Sequence, residues 1–131
     1  MIGALLAGLA AAQVRQPFPN IAPLQHIPTA LVLAASPWVL RRWPLSDGSV
    51  ACLIIFLLLH TLGGRYTYSN LPYDEWASKW FGVTLSAHAG WERNHYDRLV
   101  HFAFGALAVR PVLEVLTRYW GVTSRVAMYL V

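Results

Sequence analysis

Asp97 and His101 stand four residues apart, so on a helix they share one face, one turn from each other. A carboxylate that hydrogen-bonds an imidazole fixes its tautomer and raises its basicity. Such a pair serves a general base, a metal ligand with its orienting partner, or a proton relay. Both residues fall in the stretch 94–118, NHYDRLVHFAFGALAVRPVLEVLTR, which is long and apolar enough to cross a membrane. Ionisable groups in a span are costly, and that cost points to a site. The competing reading is a satisfied polar pair that holds helices together.

Other polar residues are expected beside this pair. His60 closes the preceding apolar run and Arg98 opens this one, so two antiparallel spans bring both to one membrane face. Arg65, Tyr66 and Tyr68 follow His60 directly. In the resulting polar crown, Asp97, His101 and His60 are the candidate catalytic residues. Arg65, Tyr66, Tyr68 and Arg98 are the candidates for holding substrate, with arginine gripping an anionic group. A divalent metal on His60, Asp97 and His101 stays open, although two histidines and one carboxylate do not complete a metal site.

The remaining titratable residues read as framework. His88 and His95 fall in a polar loop, and His26 lies near an interface. Arg110, Glu114 and Arg118 are spaced as a charge ladder at the far end of the focal stretch. There is no Gly-rich phosphate loop, no nucleophile elbow and no His-Glu-x-x-His helix, which argues against a soluble nucleotide-binding enzyme.

Composition places these residues in a lipid setting. With 56% hydrophobic and 12% charged residues, the chain is too apolar for an ordinary soluble domain. Its net charge of +4 is scattered, with no basic run to suit nucleic acid. Most of the six Trp and six Tyr flank apolar runs, as interfacial anchors do. A lone Cys52 in an apolar run excludes a disulfide framework.

The elements that must position the crown follow in chain order. Residues 1–14 read as a half-length membrane helix in preference to a cleaved signal, and Gln16–Asn20, with two prolines, breaks it. A span is expected over 21–41, with Pro28 in its first turn and a kink near Pro37. A turn over 44–48 leads to a second span at 49–66, whose Gly63 and Gly64 allow close approach or end the helix. Residues 72–82 form an interfacial helix that gathers Tyr73, Trp76, Trp80 and Phe81 on one face and stops at Gly82. Residues 83–93 read as loop, and the third span covers 95–117, where Gly105 suits a close neighbour. A partial helix at 124–131 is too short to span, so the chain reads as truncated there. The fold class is all-α: a polytopic transmembrane bundle of three to four membrane helices plus the interfacial one. Arg41, Arg42, Arg118 and Arg125 favour the cytoplasmic side for their ends.

Several of these residues carry a resemblance. LHTLGGRYTYSNLPYDEWASKWFG, then RNHYDRLVHFAFG and the later Glu114 and Arg118, resemble the YjdF-like family of bacterial inner-membrane proteins, a domain of unknown function. The similar block runs over 41–118 and includes Arg42, Pro44, Leu45 and Ser46. The resemblance implies a multi-pass inner-membrane protein with recurring polar residues at His60, Arg65, Tyr66, Tyr68, Asp97, Arg98 and His101, and supplies no reaction. It also implies further spans carrying a Glu-containing helix and acidic Gly-Asp and Trp-Asp segments. The fragment Asp97-Arg98-x-x-His101-Phe102 is similar to the Asp-Lys-x-x-His-Phe of VanZ-like membrane proteins, which are linked to glycopeptide resistance.

Two functions are compatible with these observations. One is a membrane-embedded enzyme acting on a lipid or envelope substrate at one membrane face. The other is a non-catalytic membrane protein whose crown is a binding site or polar glue between helices.

Overall fold

The computed structural model describes residues 2–122 and is helical, with no strand among them. Seven helices follow one another: α1 (Ile2–Gln13), α2 (Ala22–Gln25), α3 (Ile27–Arg42), α4 (Asp47–Arg65), α5 (Tyr73–Phe81), α6 (Leu85–Ala89) and α7 (Tyr96–Tyr119). The expected partial helix at 124–131, with Arg125, lies outside the described residues.

Helix α4 is the axis of the molecule. Ser46 takes the N-cap position and its hydroxyl accepts the Ser49 N–H at 3.4 Å. Asp47 in the first turn and Arg65 in the last complement the helix dipole. At 1.5 Å per residue its 19 residues reach about 28 Å, and the 24 of α7 about 36 Å. These are the two described helices long and apolar enough to cross a membrane, and only 28% and 17% of their most apolar stretches are buried. A core helix of a soluble domain would be mostly buried, so the exposed apolar faces suit lipid contact.

The expected span at 21–41 is divided. Pro23 and Pro28 bracket His26, and a proline excludes the N–H bond and crowds the carbonyl four residues earlier. The chain therefore closes α2 at Gln25, turns at His26 and restarts as α3, which is 16 residues long. The expected loop at 83–93 contains α6, between Thr84 and a left-handed Gly90.

Packing is pairwise around α4. On one side α1 brings Leu5 against Ile54 and Leu57. On the other, α7 brings Tyr96 and Val100 against Leu71, with Phe56, Leu59 and Leu62 around them. Gly63 and Gly64 lie in the last turn of α4 and are both buried. A Cβ on Gly63 would sit 2.6 Å from the Tyr68 ring, and one on Gly64 would sit 3.0 Å from the His26 ring. Gly105, by contrast, faces open space among the described residues.

Candidate functional site

The C-terminal end of α4 is built by its last turn. The Tyr68 N–H donates to Gly63 O at 2.7 Å and the Thr67 N–H to Gly64 O at 3.4 Å, the bond pattern of a Schellman stop. Thr67 (φ 51°) and Tyr68 (φ 60°) are both left-handed, in a region that side-chain-bearing residues seldom occupy. That turn folds the Tyr68 phenol back onto its own helix, where its hydroxyl lies 2.6 Å from His60 Nδ1. His60 Nε2 lies 3.3 Å from the Gln25 carbonyl, which can only accept. Nε2 therefore carries the proton, Nδ1 is the acceptor, and Tyr68 donates to it. Burial pushes the Tyr68 phenol above its ordinary value, so it stays protonated at neutral pH.

Helix α7 supplies the opposite wall. Asn94 fixes its start by donating to Leu71 O at 2.6 Å and accepting the Tyr96 N–H at 2.9 Å. Tyr96 is buried and donates to Leu59 O at 2.9 Å, which locks the start of α7 to α4. One turn on, His60, Thr67, Tyr68, Ser69, Asp97 and His101 line a groove of about 530 Å³. Phe56, Val100 and Phe104 complete its lining, with Phe56 and Phe104 ring centres 5.2 Å apart.

The spacing of Asp97 and His101 does not make them a side-chain pair. Asp97 Oδ2 takes both guanidinium nitrogens of Arg93, at 3.2 and 3.3 Å. Its Oδ1 is buried and accepts no hydrogen bond. His101 Nδ1 donates to the Asp97 carbonyl at 2.7 Å, and Nε2 has no partner among the described residues. The imidazole is oriented by backbone, not by carboxylate. Among the described residues no three His, Cys, Asp or Glu side chains come together to hold a metal ion. His60, Asp97 and His101 share a groove without forming a ligand set.

A scan against family models matches residues 1–131 to the family described as predicted membrane protein (DUF2238). The chain belongs to this family. The inner membrane protein YjdF of Escherichia coli (strain K12) is 29% identical over 85 residues, which are 65% of this chain and 37% of that relative. The match thus spans little more than a third of the relative's length. Neither match is to a VanZ-like protein. No solved structure matches the chain.

Within this family member, the arginines and tyrosines expected to hold substrate divide. Tyr68 lines the groove; Arg65, Tyr66 and Arg98 do not. Arg65 turns away to the C-terminal end of α1, donating to the carbonyls of Ala11, Ala12 and Arg15 at 3.2, 2.7 and 3.3 Å. Ala11 and Ala12 lie in the last turn of α1, where carbonyls lack the full set of helical partners, so Arg65 caps a helix end, sharing Ala11 O with the Val14 N–H and Ala12 O with Gln16. This corrects its reading as an anion-gripping residue. Tyr66 stacks edge-on against Trp76, with centroids 5.8 Å apart, and Arg98 is exposed.

Reasoning from sequence missed three groups. His26 is only 3% exposed; its Nε2 donates to Thr61 O at 3.0 Å and its Nδ1 lies 2.6 Å from Gln13 Nε2. Phe56 and Phe104 line the groove; each lies one helical turn from a histidine, the spacing that could have flagged them. At the far end, Glu114 does pair with Arg118 at 3.3 Å, as the ladder requires. It also accepts the Ser46 N–H at 2.7 Å and the hydroxyls of Ser46 and Ser49 at 2.6 and 2.5 Å, which makes it a cap for α4. Arg110 lies over Gly48, in space that a Cβ would fill.

Proposed function

We propose that this chain is a multi-pass protein of the bacterial inner membrane whose groove between α4 and α7 binds an amphiphile, a membrane lipid or an envelope precursor. The inner-membrane setting is supported by the name of the relative and by two span-capable helices. The groove itself carries the ligand reading. Polar side chains of Tyr68, Ser69, Asp97 and His101 line it together with Phe56, Val100 and Phe104, and that mixture suits a headgroup with a hydrocarbon tail.

One observation favours a catalytic variant of this reading. His101 Nε2 has no partner among the described residues, so the groove holds a candidate base, beside a Tyr68 whose proton goes to His60. Asp97 and His101 would then act on the bound headgroup, with His60 as the residue that positions Tyr68. The glue reading fits His60 and Tyr96 better, because their polar atoms are already taken by the protein.

Filling the groove tests the proposal. Phe104 is 57% exposed, so Phe104→Trp adds bulk without entering the core. The variant should keep the wild-type unfolding temperature yet lose co-purifying lipid in native mass spectrometry. Equal lipid occupancy in both proteins would overturn the groove as a ligand site.

A further inference from the structure

The charge of the groove decides which amphiphile it takes. Arg65 is held by three backbone carbonyls on the far side of α4, and Arg98 does not line the groove. Among the described residues, Asp97 is the one lining side chain that carries a formal charge when the histidines are neutral. A phosphate would therefore meet a carboxylate, and the guanidinium bonded there, that of Arg93, is already spent on that carboxylate.

Asp97 is also only partly used. Its Oδ1 accepts no hydrogen bond, and its Oδ2 is held by Arg93, an exposed side chain one turn earlier. Exposed pairs of this kind are weak and exchangeable. Phe56, Phe104 and Tyr68 line the same groove as the carboxylate, and aromatic rings attract cations. A carboxylate and aromatic rings sharing one groove have the chemistry of an ammonium site.

We infer that the groove selects an amphiphile with a positively charged amine or quaternary ammonium head. The ammonium replaces the Arg93 guanidinium on Asp97, and the hydrocarbon lies along Phe56, Val100 and Phe104. Arg93 is then a built-in competitor for the site. This inference rests on the groove being a ligand site and adds the sign of the ligand's charge.

The test uses the whole chain in dodecyl maltoside micelles, with dodecyltrimethylammonium and dodecyl phosphate as probes. Wild type should bind the ammonium about tenfold more tightly than the phosphate, since the wrong charge meets Asp97 unpaired. Asp97→Asn should erase that preference. Arg93→Ala should raise ammonium affinity severalfold, whereas a merely structural ion pair predicts no gain or a loss. Equal or stronger phosphate binding by wild type, or no gain in Arg93→Ala, would overturn the inference. If neither probe binds and Phe104→Trp changes nothing, the failure belongs to the groove as a ligand site. If both probes bind equally and Phe104→Trp blocks both, the charge selectivity alone fails. Nanodiscs then identify the source: weaker probe binding with ethanolamine phospholipid than with phosphatidylglycerol assigns the site to a bilayer lipid, and equal binding assigns it to a free amphiphilic amine.

Discussion

His26 and His60 clasp each other's chain segments. His60 Nε2 donates to the carbonyl of Gln25, the residue before His26, at 3.3 Å. His26 Nε2 donates to the carbonyl of Thr61, the residue after His60, at 3.0 Å. Each imidazole thus satisfies a carbonyl on the opposite segment, and Gly64 provides the room for the His26 ring.

Breaking the clasp should cost stability more than it costs ligand binding. His26→Ala removes the buried bond to Thr61 O, worth about 1–3 kcal/mol, while the exposed Gln13 can turn to water. In a double-mutant cycle with His60→Ala, a coupling of about 0.5–3 kcal/mol is expected, read from unfolding in mixed micelles. Strict additivity would show that the two bonds act independently.

The two carboxylates of α7 should behave oppositely. Glu114→Ala removes the acceptor for Ser46 and Ser49 and should lower the unfolding temperature. Asp97→Asn removes only an exposed pair, worth about 1 kcal/mol or less. Membrane abundance and unfolding temperature, measured side by side, would reverse this assignment if Asp97→Asn proved the more damaging.

Relaxing the left-handed turn should stabilise it. Thr67 adopts φ 51° at the position where helices usually place glycine, at a cost of about 1–2 kcal/mol for an L side chain. Thr67→Gly gives up the 2.8 Å bond from Asn70, yet should raise the unfolding midpoint and leave Tyr68 on His60. Gly63→Ala should do the reverse, since its Cβ would meet the Tyr68 ring. A lower midpoint for Thr67→Gly would show that Asn70 holds the turn.

Acid should loosen the α5–α6 corner. The Ser86 side chain and N–H hydrogen-bond Asp74, the latter at 2.9 Å, and hold its carboxyl below the usual value. A folded pKa below the unfolded one means stability that is present above about pH 4 and is lost as pH falls through the folded value. Amide exchange over α6 should accelerate below about pH 4 in wild type and become insensitive to pH in Asp74→Asn, after correction for intrinsic exchange.

Local chemistry was easy to read from sequence, and distant partners were not. The turn at 44–48 before an apolar run and Gly82 after an aromatic one mark helix ends, so α4, α5 and α7 fall within two residues of expectation. Helix α6 has five residues, too few for a periodic signal, and only Thr84 and Gly90 betray it. The i,i+4 spacing placed Asp97 and His101 on one face but could not say that Arg93, at the preceding i−4 position, would take the carboxylate. The turn of Arg65 away from the groove, and the cap that Glu114 adds to its ladder, were out of reach for the same reason. Their decisive partners lie 50 to 68 residues away in the chain, and charge alone does not reveal which end of which helix it will meet.

The aromatic tip of α5 gains meaning from how it is tied down. Trp80 and Phe81 are 76% and 79% exposed, yet their helix is fastened through Tyr73 to Ser86 and to the His95 N–H, at the threshold of α7. Rings of this kind settle at the boundary between water and hydrocarbon. Because the fastening is short, the tip works as a draught mark on a hull: whatever depth those rings take, the groove takes with them.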